Sequence, residues 1–459
     1  MISRDGVSKR GLVPVILFVI SVILLLLYSF TISHVDCNTI VTWGYDLLES
    51  VRNGDLTNYP VYTYLTHGMP TNYSLFSNAV TAIWLLPIYV LDNLFGFGWD
   101  MVVYDVWYKV LILASVFIAV FVFDKALSEL NYSKDNRRVA LFVFATSAVL
   151  LLSVVGKGQI DAISVMLVVI AIYMHITDRV SLAFLFIGLA CLFKPFAILL
   201  GVPYLLLMIG KCGKKTILNT LYLIGPYVLN YILTIIIMPK YREMSDITSE
   251  AFKESYGSSR IEEIFNIRIN SILIFIGIAI VLCFFALYIG SRNKIKKAHL
   301  LTIPVLLYMS YIVFANPSSV YWLMNIVPLI IIMGLNLRRT EDFLLLSIGI
   351  NLGVCIFIPV AERAFIPAKN YSLLHNIREY TSPLERLSNT EYMKYIEYTG
   401  VTLYIVCIIL IIAVYLYEHR SNKSREANTI TANKARINTL MCLSVIPQIL
   451  YLAFVYIVC

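Results

Sequence analysis

The sequence predicts an all-α integral membrane protein, a multi-pass helical bundle, and three observations carry that prediction. Hydrophobic residues make up 59% of the 459-residue chain and charged residues only 14%, against roughly 25% charged in a soluble domain. Apolar runs long enough to cross a ~30 Å hydrocarbon core recur from residue 12 to residue 458, with no space between them for a soluble domain. Lys and Arg gather in alternate short loops, as the positive-inside rule requires.

The first run, Leu12 to Phe30, follows Arg4, Lys9 and Arg10 as a signal peptide would, but no small-residue cleavage site follows it, so a retained first helix is expected. Further spanning helices are expected over 106–123, 139–155, 160–176, 181–194, 196–210, 216–238, 271–290, 300–315, 319–335, 343–359, 401–417 and 438–458, about 13 crossings in all. The run Leu75 to Phe95 would upset the parity by moving every later basic loop to the other side. It reads instead as a re-entrant or interfacial segment with both ends outside, helped by Asn78, Pro87 and Asp92. One long kinked helix over 181–210 would restore the parity equally well.

With 1–11, 124–138, 177–180, 211–215, 291–299, 336–342 and 418–437 inside, most of the 36 Lys and Arg residues are cytoplasmic, as is the N-terminus. The net charge of +8 is therefore topological, and no nucleic-acid partner is expected. The long loops 31–105, 239–270 and 360–400 fall outside, so the site is expected on the outer face of the cell membrane. The eight cysteines lie mostly within apolar runs and form no CxxC pair, which points to neither a disulfide framework nor a metal site. No internal repeat marks the chain as a two-fold transporter.

Four stretches carry polar residues where apolar ones would be inexpensive. After Asp36, the positions Ile40, Trp43, Gly44, Leu47, Leu48 and Val51 recur at helical spacing opposite Thr39, Thr42, Asp46, Glu49 and Arg52, ending at Asn53-Gly54; this predicts an amphipathic helix on the membrane. Asp36 either caps that helix or, with Asn38 as cap, is free for chemistry. In GKGQIDAISVML, Lys157, Gln159 and Asp161 either line a site or form a solvated helix end. Lys194-Pro195 interrupts an apolar stretch, where Lys194 either snorkels or presents a cation to an outer cavity. Tyr321, Trp322 and Asn325 read as an aromatic belt or a helix-entry site, and Arg242, Arg260 and Arg268 in loop 239–270 as anion ligands or solvated charges. His34 is a lone metal-ligand type; no metal is expected.

Asp36 just after the first helix, the segment running to NGDLTNYP, TNYSLF…WLLP, GKGQIDAI and LFKPFAILLGVPYLLL occur in an order that resembles the multi-pass glycosyltransferases of GT-C type, in particular the polyprenyl-phosphate-dependent mannosyltransferase-like branch (glycosyltransferase family 87-like). The likeness spans residues 12–215, with NPSSVYW beyond, and implies a GT-C module over 1–215 and a variable transmembrane module over 216–459. It implies Asp36 as catalytic base, Gln159 and Asp161 as the second polar motif and Lys194 as the lysine of the Lys-Pro step; by residue type and position alone, Lys157, Tyr321, Trp322 and Arg260 join Gln159, Asp161 and Lys194 as candidate substrate-binding residues. Asn72-Tyr73-Ser74 departs from the Tyr-Pro-Pro common among relatives. The activity implied is inverting transfer of a sugar from a polyprenyl-phosphate donor, a substrate rather than a cofactor, to a glycan, glycolipid or protein acceptor. Two other readings stand beside it. A lipid-linked saccharide flippase or transporter would spread charges along a central path, and a polysaccharide polymerase or ligase would depend on outer-loop arginines.

Overall fold

The computed structural model describes residues 12–67, 71, 73–241, 271–315, 320–361, 365–367, 391–420 and 434–458. The helices in chain order are α1 Leu12–Phe30, α2 Val35–Arg52, α3 Tyr59–His67, α4 Leu75–Phe95, α5 Met101–Glu129, α6 Lys134–Thr146, α7 Asp161–Ile176, α8 Val180–Phe193, α9 Ile198–Cys212 and α10 Thr216–Ile237. There follow α11 Ser271–Ser291, α12 Lys297–Ser310, α13 Val327–Leu335, α14 Thr340–Ala361, α15 Glu391–Arg420, α16 Lys434–Ser444 and α17 Ile446–Val458. Two three-residue strands, β1 Ile32–His34 and β2 Phe365–Pro367, form the one small sheet among the described residues.

By length and composition this is a multi-pass membrane protein. Among the described residues, eight helical stretches are long and apolar enough to cross a bilayer, nine if α6 and the π-helical turn Val149–Gly156 count as one span bent by 44°. Four shorter apolar helices accompany them. The stretch Pro195–Ile237 is 43 residues long, about twice what a ~30 Å core needs. It is divided into α9 and α10 by Gly213, which takes a left-handed φ of 51°, and by Lys214 and Lys215 beside it.

The chain builds two compact units, one from Met1–Ser33, Val120–Gly156 and Val327–Cys459, the other from His34–Ala119 and Lys157–Ile326. Residues 215 and 216, where the sequence suggests a division between modules, both lie in the second. In the first unit the expected straight span over 139–155 is broken at Ser147-Ala148. Asn351 Oδ1 accepts the Ala148 N–H at 2.9 Å and Gln448 Nε2 donates to the Thr146 carbonyl at 2.7 Å. Side-chain amides thus satisfy backbone groups that the bend releases away from water.

In the second unit α8 ends at Phe193, and Lys194 is extended (φ −142°, ψ 103°) before a 3-10 turn over Pro195–Ala197. The ring of Pro195 disfavours the α-conformation in the residue preceding it, so 181–210 is two helices rather than one kinked helix. The run 75–95 is a single unbroken helix despite Pro87, not a re-entrant reversal. The amphipathic helix expected after Asp36 is α2, but its apolar stripe does not face lipid: Ile40, Trp43 and Leu47 are buried in the protein, as is Asp46, whereas Val51 is exposed. The reason is Gly44. A Cβ there would stand 2.7 Å from the Thr81 methyl, so its absence lets α4 close on α2 and take the stripe as core.

Candidate functional site

The site is assembled by the second unit, starting at the first turn of α2. His34, extended at φ −143° and ψ 147°, is the N-cap of the helix, and its Nδ1 accepts the backbone N–H of Asp36 at 3.0 Å. Capping therefore falls to neither Asp36 nor Asn38, and the carboxylate of Asp36 is left for other work. It lies in the first helical turn, where the macrodipole favours an anion, and 38% of its side chain is accessible.

Opposite it lies the turn that follows the π-helical Val149–Gly156. Gly158 holds a left-handed φ of 63°, and a Cβ on it would sit 2.6 Å from Cys37 Sγ. Only glycine satisfies both the backbone and the close approach. The turn delivers Lys157 Nζ to 3.6 Å from Asp36 Oδ2, while the Gln159 amide donates from Nε2 to the same oxygen. Gln159 Oε1 in turn accepts the Tyr73 hydroxyl at 3.0 Å, which fixes the orientation of the amide.

A second ion pair lies beside the first. Lys194, at the break between α8 and α9, places Nζ 3.1 Å from Asp161 Oδ2, and both side chains are buried. The ammonium is 5.8 Å from the ring of Tyr73 and 5.7 Å from that of Trp322, within cation–π range of both. Trp322 is itself buried against Phe196, at 4.4 Å between centroids. It is thus a wall of the site rather than part of an interfacial belt. Asn325 is also internal: it accepts the Ser164 hydroxyl at 3.2 Å and donates to Tyr308 at 3.3 Å. Asp161 Oδ1 is buried without a hydrogen-bond partner among the described residues.

Two titrations outside the spanning helices matter here. Burial drives the His34 pKa down to about 3, so the ring is neutral near pH 7. Burial also pushes Asp36 upward, but the charges of His34, Lys157 and Lys194 outweigh it and hold the carboxyl below its ordinary value. Because His34 is uncharged above about pH 3, the lysines supply that pull near neutrality. The result is an accessible, ionised carboxylate with two ammonium groups close by. Such a set can take a proton from a hydroxyl while stabilising an anion that departs.

Asp36, Lys157, Gln159, Asp161, Lys194 and Trp322, predicted separately, are thus brought together. The backbone of Tyr321 lies in the 3-10 turn Val320–Ile326 with Trp322. Arg260, like Arg242 and Arg268, lies outside the described residues. Two participants do not stand out in the sequence. Tyr73 registers in the sequence only as a departure from a family pattern, and His34 only as a metal-ligand type. A buried pair joins them: Asp105 and Lys109, one turn apart on α5, lie behind α2, with Asn38 Nδ2 3.5 Å from Asp105 Oδ2. Their signal was available, since ionisable residues inside an apolar run are seldom neutral to function. Among the described residues no three His, Cys, Asp or Glu side chains converge to hold a metal ion. No protein-family model matches the chain, and no curated protein does.

Proposed function

We propose that this protein is an inverting membrane glycosyltransferase of GT-C type, which moves a sugar from a polyprenyl-phosphate donor to a glycan, glycolipid or protein acceptor at the outer face of the cell membrane. The observation that carries the reading is the freedom of Asp36: His34 caps α2, and the Asp36 carboxylate stands accessible between Lys157 and Gln159.

In this reading Asp36 accepts the proton of the acceptor hydroxyl as its oxygen attacks the anomeric carbon. The bond from that carbon to phosphate oxygen breaks, and polyprenyl phosphate departs as an anion. Lys194 and Lys157 are the cations nearest to receive it. Gln159, fixed by Tyr73, orients the base, and Trp322 closes one side of the pocket with an aromatic face. Arg260 is a further candidate for the donor's phosphate. The donor's tail stays in the bilayer throughout.

A membrane topology with 13 crossings accompanies this reading. It counts α9 and α10 separately, the bent α6 pair as one span and the four shorter apolar helices as spans, and it leaves α4 out. The test is mass spectrometry of lipid extracted from the purified protein. A polyprenyl-monophosphate sugar, consumed when acceptor is added, is the expected result. A diphosphate-linked oligosaccharide that is never consumed would overturn the reading in favour of a flippase.

A further inference from the structure

We propose that the turns 211–215 and 292–296 together form a seat for an acidic phospholipid, with its headgroup held between the basic side chains of the two turns and its tails against the apolar sides of α10 and α11. The proposal does not depend on what reaction the site at Asp36 performs.

The two turns are about 80 residues apart in sequence, and helix packing in the second unit makes them neighbours. The C-terminal ends of α9 and α11 meet without intervening side chains. A Cβ on Gly210 would overlap the Gly290 carbonyl oxygen and stand 2.5 Å from Asn293 Oδ1, so only glycine allows the approach. Ile295 packs against the same apolar cluster as Cys212 and Met208. Asn219 Nδ2 donates to Cys212 Sγ at 3.1 Å, which ties the start of α10 to the end of α9. The turns present Lys211, Lys214, Lys215, Arg292, Lys294 and Lys296 on one surface, all of them exposed. Lys211 has an acidic neighbour, with Nζ 3.5 Å from Asp178 Oδ1. Among the described residues no carboxylate pairs with the other five. Like charges gathered in this way repel one another. A phosphodiester placed among them relieves the repulsion and accepts charge-assisted hydrogen bonds. The N-terminal ends of α10 and α12, which begin beside these turns, add the positive ends of their dipoles.

The occupant is a lipid, because the charged surface runs directly into an apolar one. Ile217 and Leu221 in the first turns of α10 are 74% and 60% exposed, and Phe284 and Tyr288 in the last turns of α11 are 68% and 54% exposed. The Arg292 guanidinium lies 5.3 Å from the centre of the Tyr288 ring, so one of the cations stands at the boundary between the two surfaces. The stretch Ser271–Ser291 has mean hydropathy 3.1 and is only 11% buried, so most of α11 faces the bilayer. A soluble phosphate compound would satisfy the charges and leave these side chains uncovered; a molecule with an anionic head and acyl chains uses both. Clusters of Lys and Arg beside spanning helices attract acidic lipids. Here the contact between α9 and α11 joins two such clusters into one local seat.

The test uses the full-length protein, purified in an uncharged detergent and stripped of lipid. Native mass spectrometry reads the affinity for the first molecule of phosphatidylglycerol or of phosphatidylcholine with identical chains. The seat predicts phosphatidylglycerol held at least about tenfold more tightly than phosphatidylcholine. Lys214→Gln/Lys215→Gln and Lys294→Gln/Lys296→Gln should each remove most of that preference, because the two turns share one headgroup. Lys125→Gln/Lys134→Gln, which removes two exposed lysines elsewhere, should keep it. No preference in the wild type, or an equal loss from the Lys125/Lys134 pair, would overturn the proposal by showing only diffuse attraction to positive charge. Inorganic pyrophosphate displacing the bound lipid as readily as phosphatidylglycerol itself would overturn it in favour of a soluble anion.

Discussion

Asp36 is available because His34 takes over the task of capping α2, and that division of labour could not be read from residue types. Asp and Asn are the usual caps, so residue types alone point to Asp36 or Asn38. Only the extended backbone at His34 and its Nδ1 contact to the Asp36 N–H reveal the arrangement. The ion pairs were half legible. Lys157, Gln159, Asp161 and Lys194 stand out as polar groups in apolar surroundings, but which carboxylate meets which lysine depends on the turn at Gly158 and the break at Lys194. The charge balance around Asp36 makes a prediction at this scale. Its pKa lies below the ordinary ~3.9, so the base is ionised at neutral pH, and turnover should fall only as pH drops through that lowered value. Lys157→Met removes one lowering charge while leaving burial in place. The acid limb of the pH–rate profile should then move upward. An unmoved limb would show that Lys157 does not act on Asp36.

Among the elements, periodicity located α2 to within a residue or two, and apolar runs located most of the helices long and apolar enough to cross a bilayer. What periodicity could not supply was the partner of each face. The stripe of Ile40, Trp43 and Leu47 looks the same whether lipid or protein covers it; the answer lies in the approach that Gly44 permits to Thr81 on α4. The same packing buries Asp46, which accepts the Thr66 hydroxyl at 2.7 Å. Burial pushes its carboxyl up to about 6, partly offset by that hydrogen bond. A folded pKa above the unfolded ~3.9 means that the folded state binds more protons between the two values, so this group costs stability as pH rises from about 4 to 6. Asp46→Asn retains an acceptor for Thr66 and removes the charge. Its melting temperature should exceed wild type at pH 7.5, and the difference should vanish near pH 4. A variant less stable than wild type at pH 7.5 would contradict this account.

For the molecule as a whole, composition sufficed to predict a multi-pass helical membrane protein. The bend at Ser147-Ala148 was hidden, because what sustains it comes from Asn351 and Gln448, some 200 and 300 residues away in sequence. The distribution of Lys and Arg sets the orientation proposed. Cysteine-accessibility labelling should find 45–60 on the outer side and 292–297 on the inner side; label reaching 292–297 from outside would reverse the model. The central claim, that Asp36 is the base of a sugar transfer, is tested most directly by comparing Asp36→Asn with wild type in proteoliposomes supplied with the co-purifying donor and its acceptor. Asparagine preserves the fold, since His34 and not Asp36 is the cap, but it cannot take up the proton, a loss worth about 10²–10⁴-fold in rate. The account predicts normal expression and donor binding, a melting temperature somewhat lowered at neutral pH by loss of the pairing with Lys157, and transfer lowered by at least ~10²-fold; transfer near the wild-type rate by purified Asp36→Asn would contradict it.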